Sequence, residues 1–299
     1  MLSILIPSYQ NNCHLLIKTL HQQAVLCGIP FEIIVGEDGP VPAFSLDDDF
    51  LFARIENSSV NLGRAANRNR LAKMAQYPYL LFLDADAEIA RDEFVCDYVA
   101  YADESDIVCG GTAYLSEPPV EISKRLRWNY GKHREQISAQ KRNQRSFDSF
   151  SAFNFLIKKE WLLNIPFQEE FSRYGHEDTL LGQQLRKGGA RILHIHNQAI
   201  HAGLDEAPVF LSKTREGVEN LADLMRSKAD FEIADVKLLR YYRFLKRLGL
   251  QHVMRFLYRS FHAKWEKNLE STGGPLWLFD LYKLTYLFFI KKAGRKPAG

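Results

Sequence analysis

Asp84 and Asp86 stand one residue apart, directly after the apolar run Leu80-Leu81-Phe82-Leu83. In open α/β sheets ligands bind just outside the carboxyl ends of such strands. Hard oxygen ligands there suit Mg2+ or Mn2+, and a divalent ion suits a diphosphate. The alternative is a strand that ends in a solvated turn, and Asp-x-Asp alone does not choose between the two. Other loops carry matching chemistry. Pro7-Ser8-Tyr9 follows the first apolar run, and a loop tyrosine can stack on a base. Asp38, after the second run, can accept a base imide N–H or cap its own turn. Arg68 can steady phosphates, or be an ordinary surface charge of a helix. Arg64 and Arg70 on the same helix are weaker candidates.

A second acidic cluster follows Phe171-Ser172-Arg173-Tyr174-Gly175-His176: the adjacent pair Glu177-Asp178 opens a helix. Acids at a helix N-terminus are favourable caps. Beside a metal–diphosphate site, one of them could instead take a proton from an attacking hydroxyl. His194 and His196 alternate along an expected strand, which puts them on one face. His201 closes that segment and is better placed to reach a metal.

These residues need a frame that brings distant loops together. Residues 2–6, 31–35, 54–56, 79–83, 106–109, 151–158, 191–195 and 198–201 read as strands. Residues 13–27, 64–76, 91–101 and 177–187 read as helices. Strand, helix and strand with short links make a βαβ unit and therefore a parallel sheet. Residues 121–146 break the pattern, with nine Lys, Arg and His among 26 residues and Trp128 and Tyr130 between them. That stretch is either a solvated basic loop or a mobile loop over the phosphates or acceptor.

The 299 residues suffice for one large domain, or one domain with an appendage. Hydrophobic content of 46% and charged content of 25% are ordinary for a globular chain. The net charge of +3 hides an asymmetry: residues 207–299 carry 18 basic and 9 acidic groups, and residues 1–206 carry 21 and 27. An acidic first part argues against nucleic acid as partner. The basic part is helical in pattern, and residues 275–290 are strongly apolar. Those residues would lie in a membrane interface, pack on the catalytic part or join two copies as a homodimer. Cys13, Cys27, Cys96 and Cys109 form no C-x-x-C or zinc spacing and are expected as buried apolar side chains in a reducing compartment. No signal peptide and no transmembrane run is expected, so the expected location is cytoplasmic, peripheral at the inner face of the membrane.

Taken in order, Ile6-Pro7-Ser8-Tyr9, Glu32-Ile33-Ile34-Val35-Gly36-Glu37-Asp38-Gly39, Asn61-Leu62-Gly63, Arg68-Asn69, Leu83-Asp84-Ala85-Asp86, Tyr174-Gly175-His176-Glu177-Asp178 and His201 resemble family 2 glycosyltransferases of the GT-A fold. The likeness covers roughly the first two thirds of the chain. It implies an α/β fold with a Rossmann-like, mostly parallel sheet flanked by helices. Residues 1–206 would be catalytic, nucleotide-binding up to about residue 112 and acceptor-binding beyond, and 207–299 a helical extension. It implies a nucleotide-sugar donor, usually a UDP-sugar, with Mn2+ or Mg2+, and inversion at the anomeric carbon. The acceptor would be a glycan or lipid-linked sugar of a bacterial surface polysaccharide.

Carried over by position, Pro7, Ser8, Tyr9, Asp38, Arg68, Asp84, Ala85 and Asp86 line the donor site, with Asp38 on the base. Asp86 and His201 hold the metal, Asp178 is the general base, and Glu177 meets the acceptor. Gln10 departs from the family's usual Asn, and its basic C-terminal pyrophosphate motif with a Trp is not evident. Basic residues of 124–145 would have to substitute for it. A nucleotide-sugar pyrophosphorylase would need a Gly-rich basic loop where this chain has Ser8-Tyr9-Gln10-Asn11-Asn12. The retained carboxylates argue against a non-catalytic sugar-nucleotide-binding or scaffold protein.

Overall fold

A computed structural model describes residues 1–46, 50–169, 175–226 and 236–291. Its chain forms two compact units. The first comprises Met1–Leu115, Arg134–Ser172 and Glu177–Gly203, and the second Ser116–His133, Arg173–His176 and Leu204–Gly299. Part of the basic stretch, residues 121–133, therefore groups with the C-terminal helices.

In the first unit, β1 (Leu2–Ser8) and β2 (Phe31–Glu37) are buried almost throughout. Strands covered on both faces need unbroken apolar runs rather than alternation, which is how both read in sequence. Helix α1 (His14–Leu26) links them, and β3 (Ala53–Asn57), α2 (Arg64–Met74) and β4 (Tyr79–Leu83) continue the pattern. A seven-stranded sheet results, in the order β3-β2-β1-β4-β8-β6-β9, with β6 at Ile107–Cys109, β8 at Asn154–Lys158 and β9 at Ile192–His194. The chain leaves β1 toward β2 and later returns on its other side as β4, so the switch point lies between β1 and β4. Strand β8 runs antiparallel to both β4 and β6. Gly36 lets α2 pack close: a Cβ there would lie 2.9 Å from Asn67 and Leu71, and Asn67 Nδ2 instead donates to the Gly36 carbonyl (2.7 Å).

A smaller sheet, β5-β10-β7, joins β5 (Ala87–Glu88), β7 (Thr112–Ala113) and β10 (Ala199–His201). Sequence periodicity shows neither β5 nor β7, because two-residue strands have no period to read. Helix α3 (Phe94–Tyr101) lies within the expected 91–101, and α6 (Lys159–Asn164) follows β8 without a forewarning in the pattern. Residues 121–146 fold into a 3-10 turn at Ile122–Lys124, α4 (Arg125–Tyr130), a π turn at Gly131–Glu135 and α5 (Ala139–Asn143).

Three expectations need correction. Cys27 and Cys96, expected unpaired, form a disulfide between the end of α1 and α3, while Cys13 and Cys109 are free and buried as expected. Strand β9 ends at His194, which is buried, and His196 lies beyond it in solvent, so the two share no strand face. The basic stretch is not simply solvated, since Arg127 and Arg142 are buried.

The second unit has its own core among α8 (Ala207–Leu224), α9 (Lys237–Arg247), α10 (Gln251–Thr272) and α11 (Leu276–Ile290), joined by Leu126 and Tyr130. Helix α11 is the centre of that core: Leu278, Phe279, Tyr282, Tyr286, Leu287 and Phe288 are buried. Its apolar sequence is used for packing. Among the described residues no helix is long and apolar enough to cross a membrane.

Candidate active site

The carboxyl ends of β1, β2 and β4 deliver the first-read loops side by side. Ser8 Oγ donates to Glu37 (2.9 Å), and the Gln10 amide donates to the other Glu37 oxygen (2.8 Å). This pair fixes the turn after β1, where Gln10 has a left-handed φ of 56° and Tyr9 is 53% exposed with its ring 4.0 Å from where a Gly39 Cβ would sit. An aromatic face held open in this way can take a base. Asp38 is buried and accepts from the Leu62 and Gly63 amides (2.7 and 2.8 Å) and from Ser58 (3.3 Å). It anchors the loop before α2, and a base N–H would share an oxygen with those amides. Pro7 lies at the end of β1 between these two loops' strands, paired with Gly36.

Arg68 is buried in the first half of α2 and gives one Nη hydrogen to Asp84 (2.6 Å). Phe167 lies under its guanidinium at 5.5 Å. Its Nε and second Nη are buried and have no partner among the described residues. Burial works against its charge, but Asp84, Asp178 and Glu177 outweigh that and push its pKa up. This buried cation therefore offsets the mutual repulsion of the three carboxylates around it and retains donors that they do not use.

Asp178 and Glu177 begin α7 (Glu177–Lys187), after left-handed Gly175 and His176. One Asp178 oxygen accepts from the Ala152 amide (2.9 Å). The neighbouring Phe153 carbonyl accepts from the Asp84 amide (3.1 Å), so the start of β8 ties Asp178 to the end of β4. Burial, and then repulsion from Glu177, raise the Asp178 pKa to about 6, with Arg68 pulling the other way. Asp84 repels both Asp178 and Asp86, which places all three carboxylates in one neighbourhood. Ala85 between the two Asp residues is buried.

The small sheet assembles the rest. Pairing of His201 with Ala87 across β10 and β5 sets the imidazole Nε2 3.5 Å from Asp86 Oδ2. The Ala202 amide also donates to the Asp86 carbonyl (3.1 Å). Tyr114 and Phe153 flank the His201 ring at 5.8 and 5.3 Å. Gly203 is needed for this approach, since a Cβ there would fall 2.2 Å from Asp86 Oδ2. Burial pushes the Asp86 carboxyl pKa up, against the attraction of His201. Among the described residues no three His, Cys, Asp or Glu side chains form a ready cation cage. Asp86 and His201 nevertheless fit Mg2+ or Mn2+, because such ions commonly take one or two protein ligands and complete their shell with phosphate and water.

Some residues that build the site carry no chemical signal in the sequence. Ala152 and Gly203 act through backbone and size. Arg142 is buried and donates to the carbonyls of Ile137, Cys109, Gly110 and Ile195 at 2.8–3.1 Å. It also meets His194 Nδ1 at 2.7 Å, and burial pushes that imidazole's pKa down to about 4. Arg142 thus staples the ends of β6 and β9 rather than meeting phosphate. Glu169 bonds Asn69 (2.8 Å), while Phe171 to Tyr174 lie outside the described residues.

Comparison with known proteins gives the same frame. The sequence pattern of Glycosyl transferase family 2 matches residues 3–165. The chain belongs to that family. The "Uncharacterized glycosyltransferase YfnE" of Bacillus subtilis (strain 168) is 29% identical over 116 residues, which are 36% of this chain and 29% of that protein. The chain thus matches less than a third of that relative's length. Among solved structures, the mannosyltransferase PcManGT from Pyrobaculum calidifontis, in complex with GDP-Man and Mn2+, superposes with a TM-score of 0.56 at 14% identity. That alignment covers 97% of this chain and 86% of the other. S. aureus TarS 1-349 matches at a TM-score of 0.49 and 18% identity, over 99% and 93% of the two chains. The family 2 chain has the GT-A fold, with the mostly parallel sheet and flanking helices that its sequence implied.

Proposed function

We propose that this family 2 transferase moves a hexosyl or N-acetylhexosaminyl group from a nucleotide-sugar, first of all a UDP-sugar, to a hydroxyl of a glycan or lipid-linked acceptor, with inversion. Synthesis of a bacterial surface polysaccharide is the setting in which such an acceptor arises. The observation that carries this reading is Asp178. It is a carboxylate raised to about 6, held by one backbone amide and grouped with Asp84, Asp86 and Arg68. At neutral pH a group of that pKa is mostly ionised yet basic enough to accept a proton from an attacking hydroxyl.

In this mechanism the acceptor O–H proton passes to Asp178, and the freed oxygen attacks the anomeric carbon from the face opposite the diphosphate. The anomeric C–O bond breaks, and its electron pair leaves on the nucleoside diphosphate. Glu177 hydrogen-bonds the acceptor. Tyr9 stacks on the base, Asp38 reads its edge, and Pro7, Ser8 and Ala85 shape the cleft. The spare Nε and Nη donors of Arg68 bind the diphosphate, and Asp84 orients Arg68 and the donor ribose. Asp86 and His201 would hold Mn2+ or Mg2+, which when bound supplies positive charge for the departing diphosphate.

A donor screen that measures released nucleotide, with and without Mn2+, tests the proposal. GDP-sugars belong in it, because the mannosyltransferase of the same fold was solved with GDP-Man. Expected are metal-dependent donor hydrolysis or transfer, loss of metal-dependent nucleotide binding in Asp86→Ala, and retained binding without turnover in Asp178→Asn. Wild-type protein that binds nucleotide but releases none from any donor would instead assign a non-catalytic binding role.

A further inference from the structure

Residues 236–264 contain eight Lys and Arg and no Asp or Glu. The structure folds them as α9, a turn at left-handed Gly249 and the first part of α10. Each helix turns one face inward onto α11: Tyr242 meets Phe288 at 4.4 Å, and Tyr258 meets Tyr286 and Phe289 at 5.2 and 4.9 Å. The faces turned away are not the polar surfaces that a solvated helix shows. On α9, Tyr241 and Phe244, with Leu248 directly after its last residue, are 53–57% exposed and recur three and four residues apart, so they form one stripe. On α10, Val253, Phe256 and Phe261 are 40–63% exposed.

Cations border these side chains. Arg240, Arg243, Lys246, Arg247, Arg259 and Lys264 are all exposed, and none has an acidic partner among the described residues. Single exposed apolar residues are ordinary. Six on two consecutive helices, set among charge of one sign that no acid among the described residues compensates, need an occupant that is apolar and anionic together. A second copy meeting this face with its own like face would place cation against cation. A lipid surface supplies both properties, phosphate for the cations and acyl carbon for the rings.

We propose that the α9–α10 segment is an interfacial docking surface for an anionic phospholipid bilayer. It lies flat, Tyr241, Phe244, Leu248, Val253 and Phe256 enter the headgroup–acyl boundary, and the flanking arginines and lysines sit on lipid phosphate. This moves the membrane contact away from residues 275–290, most of whose apolar side chains are the core of the same unit, with Trp277 exposed. The inference is independent of the reaction assigned to the other unit.

The test is flotation of the full chain with vesicles of phosphatidylglycerol and phosphatidylcholine mixed about 3:7, against pure phosphatidylcholine. Binding is expected to the anionic vesicles alone, falling as salt rises. Arg240→Gln/Arg243→Gln/Arg247→Gln is expected to lower partitioning roughly fivefold per charge, on the order of a hundredfold together. Phe244→Ser/Phe256→Ser should lower it at least about tenfold. Both sites are exposed, so the variant should keep the wild-type melting temperature and circular dichroism. Absence of vesicle binding at low salt overturns the proposal. So does wild-type binding by the Phe244→Ser/Phe256→Ser variant, which would reduce the face to a charge patch. A dimer in sedimentation velocity that this variant abolishes, without vesicle binding by the wild type, would assign the face to a second copy.

Discussion

Replacing Asp178 by Asn should make the protein more stable and nearly inactive, and the stability gain should depend on pH in a defined direction. The carboxyl titrates near 3.8 when unperturbed and near 6 in the fold. Below the lower value both states are protonated, and the fold bears no penalty. Between the two values the folded protein holds a proton that the unfolded chain has lost. Above about 6 both are ionised, and the fold carries the whole cost of a poorly solvated anion beside Glu177. That shift corresponds to about 3 kcal/mol, and because Asp178 is only half-buried, solvent screening trims it to about 1–3 kcal/mol. Asn keeps an oxygen for the Ala152 amide and removes the charge. Urea unfolding with EDTA present should therefore show a gain of that size at pH 8 and almost none at pH 3.5 to 4, since acid has already neutralised the wild type. Turnover should fall about 10²–10⁴-fold, the usual worth of a general base, and wild-type kcat/KM should rise through a pH near 6. An equal gain at both pH values would refute the buried-anion argument. A variant with wild-type turnover would refute the base assignment.

Other perturbations probe the supports. Gly203→Ala puts a Cβ 2.2 Å from Asp86 Oδ2, so it should displace that carboxylate. Calorimetry should then show nucleotide affinity in Mn2+ lowered about 10–100-fold, with affinity in EDTA unchanged. Arg142→Met leaves the buried Gly110 and Ile195 carbonyls and His194 Nδ1 without their Arg142 donor, and weakens the bonding of the Cys109 and Ile137 carbonyls, so it should cost about 3–5 kcal/mol in denaturant unfolding. Cys27→Ser removes a bridge that closes a loop of 69 residues and should cost about 2–4 kcal/mol relative to oxidised protein. Reduced wild type and Cys27→Ser should melt together, and thiol counting should find two free cysteines in the oxidised protein.

Much of the fold was legible because its signals are local. The apolar runs of β1, β2 and β4, the helical spacing of α1 and the acids opening α7 depend on neighbours in the chain, and they fall where the pattern put them. The motif order also led to family 2 and the GT-A fold. What pattern could not give was partnership. Two-residue strands β5 and β7 have no period, yet β5 is what sets His201 beside Asp86. Cys27 and Cys96 are 69 residues apart, and spacing alone left them unpaired. Arg142 and Arg127 read as loop charge because a count of cations does not say which are enclosed. Residues 275–290 had the composition of a membrane-facing helix, but α8, α9 and α10 cover most of their apolar side chains, and only Trp277 is well exposed among the large ones.

The types of the reacting groups and their places at strand and helix ends were therefore set in the sequence, since side-chain chemistry and local backbone preference travel with the residue. Which carboxylate is desolvated, which cation keeps spare hydrogens, and which apolar face stays in water were decided by the tertiary structure. Burial and pairing belong to contacts between segments, and no single segment carries them.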